Sequence, residues 1–155
     1  MITAKRNSLA ALLAAITLSV IGMPAAQAQT PQLEANKKVA QAFYEAAINK
    51  KNYEEAVKYL GAQYKQHNPT AGDGAEGLKG FIEFLKSKFP KQHGEIKHVI
   101  AEGDLVVLHV HSTRGDNTPG RAIVDIFRLQ NGKVVEHWDV IQDIPEKASN
   151  SNGMF

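Results

Sequence analysis

Along residues 33–50, apolar side chains recur three and four positions apart, at Val39, Ala40, Phe43, Tyr44, Ala47 and Ile48. That spacing follows the 3.6-residue turn and predicts an amphipathic helix. Asn52 with Glu55 three residues on is a capping-box pattern, and Tyr53, Ala56, Val57 and Leu60 share one face behind it. A second, shorter helix ending near Gly61 is predicted there. A third runs from about Glu76 to Lys88, with Leu78, Phe81, Ile82 and Leu85 turned inward and Pro90 as its stop. Between the second and third, Tyr64 to Pro69 reads as a short strand or extended arm entering the glycine-rich turn 72–74.

From Glu95 the period changes to two. Residues 95–101 and 105–113 flank the turn Glu102-Gly103-Asp104, and residues 121–129 and 133–142 flank Asn131-Gly132, a strong hairpin signal. Helices early and an antiparallel sheet late predict an α+β domain, with the helices against the inner face of a curved sheet. Alternation places His109 and His111 on one face of their strand with Leu105 and Val107, and Val106, Leu108 and Val110 on the other. Both faces are partly apolar, which predicts helices over one and a second subunit over the other. A homodimer is therefore expected. The segment 146–155 is a polar tail with a Met-Phe end, either loose or packed back over an opening.

The N-terminus changes the charge argument. Lys5 and Arg6 precede an uncharged apolar run from Leu9 to Gly22, too short to span a bilayer comfortably, and Ala26-Gln27-Ala28 follows. These are the three parts of a secretory signal peptide, with cleavage expected after Ala28, so residues 1–28 are assigned to a leader, residues 29–145 to the domain, and the protein to a secreted or periplasmic location. The chain has 18 basic and 16 acidic residues; without Lys5 and Arg6 the balance is 16 against 16. A near-neutral chain with no basic stripe or aromatic platform argues against nucleic acid as a partner, and nothing after the leader predicts a membrane association. Cysteine is absent, so packing rather than disulfides must hold the fold.

The candidate chemistry lies on the last hairpin. If Asn131 and Gly132 alone form its loop, Asp125 pairs with Trp138, and His137 and Asp139 lie on the opposite face. If Gln130 joins them in a three-residue loop, Asp125 pairs with His137, and Phe127, Val135 and Asp139 share that face. A one-residue shift flips a strand's side chains, so both are open; the longer loop is preferred because it gathers two carboxylates and a histidine. Two carboxylates in one low-dielectric site push their proton affinities apart, so that one donates a hydrogen bond while the other, or the histidine, takes a proton. The plainer reading pairs Asp125 with Arg121 or Arg128. His109, His111, Asp125 and His137 also suggest a facial metal site, but no close-spaced ligand motif supports one, and no metal or cofactor is expected. The chain has no G-x-S-x-G elbow and no phosphate-binding glycine motif.

The stretches Tyr64-Lys-Gln-His-Asn-Pro69, Val124-Asp-Ile-Phe-Arg128 and Asn131-Gly-Lys-Val-Val-Glu-His-Trp-Asp139 resemble the SnoaL-like polyketide cyclase family of the NTF2-like superfamily, over essentially all of residues 33–145. The resemblance implies a cone-shaped barrel, its curved antiparallel sheet wrapped around N-terminal helices, often dimeric, with a deep pocket. It also implies cofactor-free aldol-type closure with Asp139 as the acid/base. A more distant similarity to ketosteroid isomerase places that enzyme's oxyanion-hole tyrosine on Tyr44 and its protonated aspartic acid on Asp125. Its general base falls on Asn68, which cannot take a proton, and this departure argues against the same chemistry.

The resulting expectation is a pocket protein for a small apolar or carbonyl-bearing molecule, performing cyclisation or isomerisation beside a carbonyl. Asp139 would abstract a proton, His137 hold or tune it, and Asp125 and Tyr44 donate hydrogen bonds to the developing oxyanion. His67, Asn68, His109, His111, Phe127 and Trp138 would contact the substrate. The alternative is a non-catalytic secreted binding or scaffold domain, since one fold hosts many roles.

Overall fold

The computed structural model describes residues 31–155, so the leader expected over residues 1–28 lies outside the described residues. Helix α1, Pro31–Tyr44, continues into a π-helical turn, Glu45–Asn49. Asn52 caps α2, Tyr53–Ala56, by accepting the Glu55 N–H at 3.1 Å. A 3₁₀ turn, Val57–Tyr59, then delivers the chain directly into strand β1, Leu60–Gln66, so the second helix is shorter than its apolar spacing implied. Helix α3 spans Gly74–Lys88. The remaining strands are β2, His93–Glu102; β3, Leu105–Thr113; β4, Arg121–Gln130; and β5, Lys133–Asp143.

The five strands form one sheet in the order β1-β5-β4-β3-β2. β2 to β5 are antiparallel, whereas β1 runs parallel to β5, with Gln66 beside His137. The expected cone-shaped barrel with an all-antiparallel curved sheet is therefore incorrect. The sheet is mixed, has β1 and β2 as free edges, and is neither closed nor strongly curled. β1 and β2 stand at opposite ends of the strand order and do not pair with each other. The helices bury the inner face instead.

β3 shows the division of faces. Val106, Leu108, Val110 and Ser112 are fully buried toward the helices, while the alternate positions are only half covered. Phe43 of α1 meets Phe127 of β4 and Tyr64 of β1 edge-on, with ring centroids 5.7 and 6.1 Å apart. Ile82 of α3 is also fully buried. Burying each such side chain contributes about 1.5–3 kcal/mol, which makes this helix–sheet layer the main source of stability.

The β4–β5 hairpin decides what enters that layer. Asn131 and Gly132 have φ of 52° and 70°, the left-handed pair of a two-residue turn, and Gln130 pairs with Lys133. The preferred three-residue loop is thus incorrect. A regular two-residue hairpin would have paired Asp125 with Trp138, but the register shifts after Leu129–Val134, leaving Val135 as an extra residue. Such a bulge reverses the alternation of everything beyond it. Asp125 consequently faces Asp139, Phe127 faces His137, and all four share the inner face.

Candidate functional site

A cavity of about 360 Å³ lies between α1, α3 and the inner face of the sheet. Phe43, Leu78, Phe81, Phe84, Leu85 and Phe89 supply its apolar wall, and the polar groups stand on the strands. β4 contributes Arg121, Ile123, Asp125 and Phe127 in alternation; β5 contributes His137, Asp139 and Ile141; β1 contributes Tyr64 and Gln66. Tyr44 and Asn68 complete this group.

Asp125 and His137 are 6% and 7% exposed, and His137 Nε2 lies 3.0 Å from Asp125 Oδ1. The other ring nitrogen, Nδ1, is 2.8 Å from Gln66 Oε1. That oxygen already accepts the Asn68 main-chain N–H at 3.0 Å, while the Gln66 amide nitrogen donates to the Tyr64 hydroxyl at 3.1 Å. Gln66 therefore presents an acceptor to His137, and Nδ1 must carry a proton. The remaining contact between Nε2 and Asp125 is then satisfied by one proton shared between the two groups. Burial pushes the Asp125 carboxyl above the usual carboxylate range, against the opposing pull of its hydrogen bond with His137. Asp125 Oδ2 is buried with no partner.

Asp139 is held separately. Asn68 Oδ1 accepts from the main chain and hydroxyl of Thr70, at 2.8 and 2.6 Å, which turns its amide nitrogen to donate to Asp139 Oδ2 at 2.5 Å. His137 thus hydrogen-bonds Asp125, while Asp139 takes its hydrogen bond from Asn68. Burial, with the nearby Asp125 charge, raises the Tyr44 hydroxyl far above the ordinary phenol range and keeps it a proton donor.

Asp125, His137, Asp139, Tyr44, Asn68 and Phe127 all line the cavity, and the other four expected substrate contacts do not. His67 stacks on Trp138 at 4.7 Å on the outer side of the sheet and contacts Glu136 at 2.8 Å. His109 and His111 lie on the outer face of β3, where Phe155 of the tail packs against both at 5.1 and 4.9 Å. The tail therefore covers the outer face and not a cavity opening. Arg128 pairs outward with Asp104 and Glu136, and among the described residues no arginine pairs with Asp125. A metal site joining His109 and His111 to Asp125 is ruled out by this placement. Asp125, His137 and Asp139 can each offer one ligand atom within 4.8 Å of the others, so this trio could converge on an ion.

Gln66 and Arg121 were missed as cavity residues. Alternation held the signal for both: Tyr64 and Gln66 share a face, as do Arg121, Ile123, Asp125 and Phe127.

With this geometry in view, the class is clear: an α+β helix–sheet domain whose cavity is consistent with a small-molecule-binding, enzyme-like role. The SnoaL-like domain family matches residues 40–137, well over half of the chain, and the protein belongs to that family within the NTF2-like superfamily. A candidate SnoaL-like polyketide cyclase of Jannaschia sp. CCS1 superposes with a TM-score of 0.62 at 19% identity, over 74% of this chain and 90% of that one. A candidate polyketide cyclase of Bacillus cereus ATCC 10987 gives 0.60 at 24% identity, over 69% and 74%. IdmH of Streptomyces antibioticus, another candidate polyketide cyclase, gives 0.56 at 21%, over 68% and 91%. At these identities the likeness is one of fold. No curated protein matches the chain significantly.

Proposed function

We propose that the protein is an enzyme that moves a proton beside a carbonyl group, in an aldol-type cyclisation or an isomerisation, by acid–base chemistry of its own side chains. The observation that carries this reading is the buried Asp125–His137 pair facing Asp139 across an apolar cavity, with Asp125 Oδ2 left without a partner. Asp139 takes the proton from the carbon next to the carbonyl, and the electron pair of that C–H bond moves onto the oxygen as an enolate. Tyr44 donates a hydrogen bond to this oxygen, where negative charge develops, and the Asp125–His137 pair, neutral overall with its one shared proton, sets no net charge against it. Return of the proton to another carbon completes an isomerisation. Attack of the enolate carbon on a second carbonyl of the same molecule forms the ring, and the new alkoxide takes the proton.

The test is mass-spectrometric uptake of solvent deuterium by a panel of ketones and β-dicarbonyls. Wild-type protein is expected to catalyse uptake, and Asp139→Asn to reduce it at least a hundredfold with an unchanged unfolding midpoint, since a positioned general base contributes roughly 10²–10⁴-fold. Equal uptake by both proteins overturns the role of Asp139. The aromatic and aliphatic wall also favours a second reading, a non-catalytic carrier, which tight retention of an unchanged ligand would support. The leader-like N-terminus supports a secreted or periplasmic site of action for either.

A further inference from the structure

The cavity has a second polar end that the acid–base chemistry does not use. Arg121 opens the inner row of β4, ahead of Ile123, Asp125 and Phe127. Its Nη2 donates to Gln92 Oε1 at 3.2 Å, but Nε is buried without a partner. Arg114 also lines the cavity, its guanidinium 4.2 Å from the ring centroid of Phe89. Among the described residues, neither arginine forms an ion pair with a carboxylate. Asp143, opposite Arg121 in register, is exposed and makes none. Behind Gln92, outside the cavity lining, the buried Lys51 donates its Nζ to the Gln92 carbonyl at 2.7 Å. Arg121 is partly buried, so its unpartnered Nε is costly until an anion arrives, while Arg114 stands exposed at the rim of the cavity.

We propose that this end of the cavity binds a carboxylate, so that the substrate is an apolar oxo-carboxylate, with its carboxylate on Arg121 and Arg114 and its carbonyl between Asp125 and Asp139. The second half of this assignment rests on the acid–base reading above. A planar guanidinium presents parallel N–H groups that match a carboxylate, which the unpartnered Nε leaves available on Arg121. Ile123 and Ile141, paired across the strands, form an apolar belt between the two ends. Residues two apart along a strand are roughly 6.8 Å apart, so Arg121 and Asp125 stand about 14 Å apart along β4, a gap that the reach of the arginine side chain shortens. The two functional groups of the ligand are therefore separated by several apolar bonds.

The probe is 5-oxo-5-phenylpentanoate, compared with its uncharged methyl ester by isothermal titration of the purified protein. The acid is expected to bind at least tenfold more tightly than the ester. Arg121→Gln should remove this preference by weakening the acid alone, and Arg121→Lys should retain part of it. Equal affinity for acid and ester, binding of neither, or a preference that survives in a folded Arg121→Gln protein overturns the assignment. Should Arg121→Gln fail to fold, Arg114→Gln and the wild-type comparison still decide it. Binding is read without turnover: deuterium exchange without the acid preference removes only the carboxylate end, and the preference without exchange removes only the acid–base reading.

Discussion

Asp125 shows how one residue's surroundings set its chemistry. It sits on a strand of apolar neighbours, where a carboxylate is expensive unless partnered, and His137 supplies one partner while Oδ2 has none. Its proton affinity is raised in the folded protein, so the folded state holds a proton that the unfolded chain has released. Stability linked to this group is therefore greatest below the ordinary carboxylate range and falls as pH rises toward the folded value. Asp125→Asn should abolish that fall and stabilise the protein near neutrality, on the order of 1 kcal/mol. The asparagine amide can still donate to His137 Nε2, because Gln66 keeps the ring proton on Nδ1. Thermal unfolding from pH 4 to 8 checks this; a variant less stable than wild type at pH 7 would contradict it. At this scale the sequence was partly legible. The motif residues Asp125, His137 and Asp139 stood out, but their partners Gln66 and Asn68 lie about 70 positions away and meet them only through the β1–β5 pairing.

At the scale of elements, Tyr44 depends on a clamp between helix and sheet. Asn49, in the π-helical turn, accepts the Gly94 N–H at 2.8 Å and donates to the Gly94 carbonyl at 3.0 Å. This draws β2 so close to α1 that a Cβ on Gly94 would fall 2.2 Å from the Tyr44 hydroxyl oxygen. Gly94→Ala should therefore displace the Tyr44 ring and cost about 1–3 kcal/mol, the usual range for overpacking. A denaturant midpoint measures the cost, and deuterium exchange should fall to the level of Tyr44→Phe; an alanine variant with native stability and exchange would show that the clamp yields. The helices and strands themselves were largely readable, because periods of 3.6 and 2 report how each element buries its own face. The start of β3 at Leu105 and the Asn52 cap appear where the pattern placed them.

Among the described residues, only the tail crosses the outer face of the open sheet. Ile100 and Val140 are 60% and 67% exposed there, in a face that also carries Val124, Ile126 and Trp138. Among the described residues no helix is long and apolar enough to cross a membrane. The homodimer expected from the sequence stands as a proposal supported by this apolar face. Sedimentation equilibrium should give twice the chain mass, and Val140→Lys should weaken association about tenfold, near 1.4 kcal/mol. A monomer at micromolar concentration would overturn it.

By itself, the sequence determined the α+β class, the helical and strand segments, the faces of β3 and the family, because these follow from local periodicity and short motifs. Only the tertiary structure decided that β1 joins β5 in parallel, that the sheet stays open, and that Arg121 shares a cavity with Asp139. Above all, it decided the hairpin's outcome. Alternation relates residues within one strand but carries no offset between strands, and that offset depends here on two backbone choices, a two-residue turn and an extra Val135. Each choice alone changes which side chains face inward; together they bring Asp125, His137 and Asp139 to the same wall.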